Sequence, residues 1–233
     1  HGPRYVSTKE KERNMVFHFD HLTIDFGPEG KYDPVPVDFL RFKEIFSQWD
    51  QVLAEDGWNS IFLGNHDFSR IVSRFGNDRQ YHNVSAKLLV TLLMSLRGTP
   101  YVYQGDEIGM TNVAHPSIDL YDDVETRNAW KAAKATGKDM DQFLKAVHLQ
   151  SRDNARTPMQ WDASIQAGFT QGKPWIPVNK NYTQINVAAA ENDPNSILYY
   201  YRKMIAYRKA NPSLVYGHFE DLLPQHPYLF VYK

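Results

Sequence analysis

The chain has 233 residues, 42% of them hydrophobic and 14% aromatic, with a formal net charge of −1. This is enough apolar material for a substantial core in one domain or one and a fraction. Charge is nearly balanced, no basic stripe points to nucleic acid and no acidic run suggests a tail. The absence of cysteine excludes disulfides and thiolate metal sites, and no apolar run approaches the roughly 20 residues of a membrane span.

The first residue is His1, not Met, so the start of the gene product is expected upstream; no signal peptide is visible. Lys9-Glu10-Lys11-Glu12-Arg13 reads as a solvated segment, and Met15–Phe19 as a short strand. His21–Pro36, rich in Gly, Pro and Asp, reads as a long loop. From Asp38, apolar residues Phe39, Phe42, Phe46, Trp49 and Leu53 recur at helical spacing, predicting a helix that Gly57 ends. Ile61-Phe62-Leu63 is a strand. A second helix is predicted over Val84–Leu96, apolar nearly all round and so buried on most faces. Gly98-Thr99-Pro100 breaks the chain before a third strand, Tyr101–Tyr103. Helix and strand alternating at this spacing is the rhythm of a parallel α/β sheet.

Two polar helices follow, near Ile118–Thr136 and Asp139–Gln150, then a long irregular segment from Ser151 to Asn192. Asp193-Pro194 reads as a helix start, with Ile197, Leu198, Tyr201, Ile205 and Arg208 on its inner face, and Asn211-Pro212 as its stop. Phe219–Leu223 and Tyr228–Tyr232 read as the beginning of a β-hairpin.

The chemistry-bearing residues cluster after the strands. Asn65, His66 and Asp67 follow the second strand. An acid and an imidazole at a strand's carboxyl end could bind vicinal sugar hydroxyls and stabilise positive charge; the plain alternative is a polar turn with Asp67 as a helix cap. Asp106 and Glu107 after the third strand could be catalytic, or could brace the following turn. Arg152, in the donor-rich segment Ser151–Asp162, could fork onto sugar hydroxyls or onto Asp67, or could tie down its loop through backbone carbonyls. Glu125 reads as part of a solvated helix face with an Asp123–Arg127 pair. The nine His residues show no metal-ligand spacing, and neither a nucleophile elbow nor a phosphate loop is present. No metal or cofactor is called for.

Four stretches resemble the α-amylase superfamily: Phe62-Leu63-Gly64-Asn65-His66-Asp67, Val72-Ser73-Arg74-Phe75-Gly76, Gly98 through Asn112, and Arg152 through Asp162. Within it the chain resembles the oligo-1,6-glucosidase, dextran glucosidase and bacterial α-glucosidase branch. The resemblance implies the C-terminal part of a (β/α)8 TIM barrel, with strands six to eight at Met15–Phe19, Ser60–Leu63 and Tyr101–Tyr103. Residues 1–211 would belong to that barrel, and 212–233 would begin a C-terminal β-sandwich.

It further implies that Asp67 is the carboxylate that stabilises the transition state. His66 and Arg152 would bind the reacting glucose, and Glu125 the neighbouring sugar. Asp106 and Glu107 would be structural. The substrate would be an α-gluco-oligosaccharide, hydrolysed with retention at α-1,6 or α-1,4 bonds in the cytoplasm. The family's nucleophile and acid/base, and any calcium site, would lie upstream of His1, so this chain alone is expected to be inactive.

Phe68-Ser69 stands where the family usually has Gln-Pro, which bears on specificity. A transglycosylase or sucrose isomerase on the same scaffold is an alternative; the isomerases carry an Arg- and Asp-rich loop after strand six, and Thr23–Gly27 has no arginine. A non-catalytic, transporter-associated barrel domain is the remaining alternative; retention of His66, Asp67 and Arg152 weighs against it. Three parallel strands alone cannot close a barrel, so open edges and self-association are expected.

Overall fold

The computed structural model describes residues 5–7, 9 and 12–233; residues 8, 10 and 11 of the charged N-terminal segment lie outside the described residues. The parallel sheet is minimal. Val16 makes a single parallel bridge to Asn59, and β3 (Ser60–Ile61) pairs in parallel with β4 (Thr99–Pro100). The three expected strands lie side by side in chain order, but the first is a single bridge, β3 covers only the start of its apolar run, and β4 falls on Thr99–Pro100, where a break was expected, and not on Tyr101–Tyr103. Tyr101 N still donates to Ile61 O at 2.7 Å, while Pro100 has no N–H to donate. Gly98, at φ +121, lies so close to Asn59 that a Cβ would sit 2.4 Å from its carbonyl oxygen. Glycine is required where these two strands begin to pair.

The expected loop from His21 to Pro36 contains regular structure. A 3-10 turn spans Asp20–Leu22, and β1 (Phe26–Gly27) pairs antiparallel with β2 (Gly30–Pro34). The Gly-Pro-Glu-Gly turn that suggested a loop is the reversal of a hairpin.

Helix α1 (Phe39–Leu53) starts where its spacing predicts, with the Asp38 carboxylate accepting from Arg41 N, but it ends four residues before Gly57. After α2 (Ile71–Phe75) comes α3 (His82–Ser95), whose burial is one-sided. Leu89, Val90 and Leu93 are buried, but Val84 and Leu88 are 67% and 69% exposed, against the expectation of burial on most faces.

The first polar helix is divided. A 3-10 turn over Ile118–Leu120 precedes α4 (Val124–Ala135), which Asp123 caps through Glu125 N and Thr126 N. Helix α5 (Met140–Gln150) is capped by Asp139. The irregular segment holds α6 (Asp153–Arg156) and α7 (Val187–Glu191). Helix α8 (Ile197–Ala210) begins at an Ser196 cap, three residues later than Asp193-Pro194 suggests. Asp193 instead accepts from Asn195 N in a preceding turn. After α9 (Ser213–Tyr216), Asp221 and Tyr232 form an antiparallel bridge.

One core joins α1, β3, α3 and α8 through Phe42, Phe46, Ile61, Leu93 and Tyr201. A second packs α4 and α5 around Tyr121, Phe143 and Val147, with Tyr32 of β2 against it. Buried cations staple the loops to these cores. Lys43 Nζ donates to the carbonyls of Leu223, His226 and Leu229 at 2.7–3.0 Å. Arg208 donates to those of Met94, Leu96, Gly98 and Leu214 at 2.5–2.9 Å. Among the described residues no helix is long and apolar enough to cross a membrane.

Candidate active site

Beyond β3 the chain turns sharply. Asn65 Oδ1 accepts from Asp67 N at 2.8 Å, so Asn65 supplies the turn's side-chain bond. The next helix, α2, has Arg70 at its N-cap and no side-chain cap bond. Asp67 therefore caps no helix, and its carboxylate serves a charge cluster instead.

Asp67 Oδ1 receives Arg156 Nη2 at 2.8 Å and Arg152 Nη1 at 3.3 Å, and its Oδ2 lies 3.3 Å from His66 Nε2. Arg156 Nε also donates to His66 O at 2.8 Å, pinning the turn on both sides of its carboxylate. Arg152 and Arg156 bracket α6, four residues apart, and so share a helix face. Arg152 binds Asp123 through Nη2 and Nε, at 2.5 and 3.0 Å, and approaches Glu125 Oε2 at 3.3 Å. Glu125 is in turn held by Lys31 Nζ, at 2.7 Å, from β2.

The structure thus brings His66, Asp67, Arg152 and Glu125 into one chain of charges. Among the described residues Arg152 engages carboxylates and no backbone carbonyl. The expected Asp123–Arg127 pair does not form: Arg127 reaches Asp122 and the Tyr121 carbonyl, and Asp123 goes to Arg152.

Exposure grades this cluster. The Asp123 side chain is sealed, Arg152 and Arg156 are about a quarter exposed, and Asp67 and Glu125 are 41% and 44% exposed. Burial alone would raise the Asp123 carboxyl, but the bonds from Arg152 and Thr126 outweigh it and hold it below the usual carboxylate range. The same Asp123 bond raises Arg152, which stays cationic under all ordinary conditions. The site is therefore a fixed Asp123–Arg152 pair from which donors extend to a more open Asp67 carboxylate.

Asp106 and Glu107 behave as braces. Glu107 Oε2 accepts from Gly105 N at 2.6 Å, and Asp106 is buried beside Arg70, with Nη1 to Oδ1 at 3.9 Å. Burial raises the Asp106 carboxyl to about 7, against the lowering effect of Arg70.

Sequence reasoning missed Asp123, Arg156 and Lys31 as members of this cluster. The four-residue interval from Arg152 was a usable signal for Arg156; nothing local marks Lys31, which arrives from 94 residues before Glu125. Phe68 is half-buried, stacked on Phe26 of β1 at 6.4 Å, with Lys31 Nζ 5.8 Å from its ring centre. A separate cleft of about 840 Å³ lies between the 111–120 loop, α5 and residues 177–181, and none of His66, Asp67, Arg152 or Glu125 lines it. The convergence of charged groups, not cavity size, marks the candidate site. Among the described residues no group of three His, Asp or Glu is placed to hold a metal ion.

Comparison with known proteins places the chain in a family. The α-amylase catalytic-domain family model matches residues 1–217. Among curated relatives, an oligo-1,6-glucosidase of Parageobacillus thermoglucosidasius is 49% identical over 99% of this chain and 41% of its own length. A trehalose-6-phosphate hydrolase of Escherichia coli is 44% identical over 100% and 42%. Among solved structures, an isomaltulose synthase from Klebsiella sp. LX3 superposes with a TM-score of 0.95 at 39% identity, over 99% of this chain and 42% of that one. The chain spans about two fifths of the length of these relatives. It belongs to the α-amylase family of catalytic domains.

Proposed function

We propose that this chain supplies strands six to eight of a (β/α)8 barrel, residues 1–211, and the start of a C-terminal β domain, residues 212–233. The complete protein is a retaining α-glucosidase acting on α-1,6 or α-1,4 bonds of short α-gluco-oligosaccharides. The observation that carries this reading is Asp67 beyond the carboxyl end of a parallel strand, gripped by Arg152 and Arg156 and flanked by His66. Barrel enzymes build their sites at that face.

In the proposed reaction, Asp67 accepts hydrogen bonds from the hydroxyls of the reacting glucose. Its negative charge stabilises the oxocarbenium-like transition state. Arg152 and His66 are donors to the same sugar. Glu125, on the far side of Arg152, meets the leaving-group sugar, and Lys31 orients it. Retention requires a nucleophile and an acid/base with carboxyl groups roughly 5 Å apart. Both belong to the part of the barrel outside the two fifths spanned here, so residues 1–233 alone turn over nothing.

The test compares the complete gene product with purified residues 1–233 on an aryl α-glucoside. Turnover is expected only from the complete protein, and turnover by residues 1–233 above blank sinks the barrel register. A second reading, sucrose isomerisation, is favoured by the isomaltulose synthases of TM-score 0.94–0.95, one of them bound to sucrose. The arginine-free Thr23–Gly27 segment weighs against it. Incubation with sucrose separates the two, because an isomerase forms isomaltulose where a hydrolase releases glucose and fructose. Trehalose 6-phosphate is a third arm of the same assay, prompted by the 44% identical hydrolase.

A further inference from the structure

Arg70 lies three residues beyond Asp67 and is only 2% exposed. Its guanidinium reaches two other chain segments. Nη1 donates to Gln104 O at 2.5 Å, beyond the end of β4. Nε and Nη2 donate to Asn154 O and Ala155 O, each at 3.3 Å. Those last two carbonyls belong to residues lying between Arg152 and Arg156, the pair that grips Asp67.

The surroundings are shaped for this contact. Gly105, at φ +94, leaves a space that a Cβ could not share, since it would lie 2.7 Å from Arg70 Nη1. The Tyr103 ring centre is 5.4 Å from the guanidinium carbon, and Tyr103 OH donates to the same Ala155 carbonyl at 2.9 Å. Arg70 N donates to Asn112 Oδ1 at 2.8 Å, fixing the main chain from which the side chain starts.

A buried arginine on carbonyls can be purely a staple, as Arg208 is. Arg208, however, touches no segment that carries a site residue, whereas Arg70 joins the two that must meet. One end of its span is the Asp67 turn and the other is the α6 backbone. Arg70 ties them alongside the direct bond from Arg156 Nε to His66 O.

We infer that Arg70 is a positioning residue of the glycosidase: it fixes α6 against the Asp67 turn, and so fixes how Arg152 and Arg156 orient the transition-state carboxylate. This rests on the role proposed above for Asp67. A planar fork serves three carbonyls from one point, which a lysine ammonium at the end of a flexible stem does not reproduce. Misplacing a catalytic group by about 1 Å costs on the order of 100-fold in rate.

The experiment is a mutant cycle in the complete enzyme. Arg70→Lys should lower kcat about 100-fold and change KM less than about threefold. In an Arg152→Ala, Arg156→Ala background the same substitution should cost less than about threefold more, because it acts through those two residues. Tyr103→Phe removes one bond to the same carbonyl. It should give a kcat loss of about fivefold, abolished in the same background, and it carries the test if Arg70→Lys does not fold. Equal losses in both backgrounds, or a lowered melting temperature with unchanged kcat, would overturn the inference. Amide exchange gives a readout that needs no turnover: it should quicken at 153–156 and hold steady across α5. If the wild-type enzyme lacks α-glucosidase activity, the proposed function fails. The brace itself then stands or falls on whether exchange at 153–156 changes.

Discussion

Two regions of this molecule hold their cations in opposite ways. Lys43 and Arg208 are buried, and their head groups donate to main-chain carbonyls at loop or helix ends. Arg152 and Arg156 are about a quarter exposed, and their main acceptors are carboxylates, Asp123 and Asp67. Carbonyls are uncharged, so a cation placed on three or four of them fixes geometry without neutralisation. A carboxylate has lone pairs beyond those its arginines occupy. On the open side of Asp67 those lone pairs remain available to a sugar hydroxyl. The first arrangement holds the chain still; on the proposed reading the second is for exchanging partners.

If this division is right, the two regions fail differently when altered. The largest expected effect is on turnover at Asp67. Asp67→Asn keeps the shape and removes the charge, so kcat of the complete enzyme should fall at least about 1,000-fold, or about 4 kcal/mol of barrier. Its melting temperature should move by no more than about 2 °C, since the group is half-exposed. A variant that retains a tenth of its activity would remove Asp67 from the mechanism. Arg208→Met should do the reverse. Stranding four carbonyls is expected to cost about 3 kcal/mol and lower the melting temperature by about 10 °C. At 25 °C its kcat should stay within about twofold of wild type. A large kcat loss there would mean that staples and site are not separable.

Much of this division could be read from the chain, but unevenly. Helix α1 was legible because its signal is local, apolar residues every three or four positions, and the Asp38 cap at its start adds to it. The position of Asp67 was legible because a short apolar run ends at a glycine before it. The hairpin over Phe26–Pro34 was not, since Gly-Pro-Glu-Gly specifies a reversal without saying whether its flanks pair. Nor could composition decide between the two readings of Arg152. An arginine does tie the 151–162 segment by its carbonyls, but it is Arg70, and its acceptors are 34 to 85 residues away. Which arginine meets carbonyls and which meets carboxylates depends on contacts of that range, and no local pattern encodes them.

A third kind of site gives the smallest effect and tests the rule from outside. His18 is 4% exposed and stacks on Trp49 at 4.5 Å, with a 13° angle between the rings. Neither of its ring nitrogens has a hydrogen-bond partner among the described residues. With no carbonyl or carboxylate to accept from it, the ring stays neutral. Burial lowers its pKa from 6.5 to about 4, partly opposed by Asp20. Because the folded value lies below the unfolded one, the unfolded chain binds more protons between those limits. Stability is then full above pH 6.5 and declines as the pH falls toward 4, by roughly 3 kcal/mol when complete. His18→Phe keeps the stacked ring and removes both the titration and the two unsatisfied nitrogens. At pH 7 it should stabilise the protein by about 1 kcal/mol. At pH 5 its melting temperature should exceed that of wild type by about 5 °C more than at pH 7. A residual slope will remain from His21, lowered to about 3 by its burial and by His18 beside it. Parallel melting curves for variant and wild type from pH 7 to pH 5 would mean that His18 finds an acceptor after all, and that a buried cation can be held here in a way these two regions do not show.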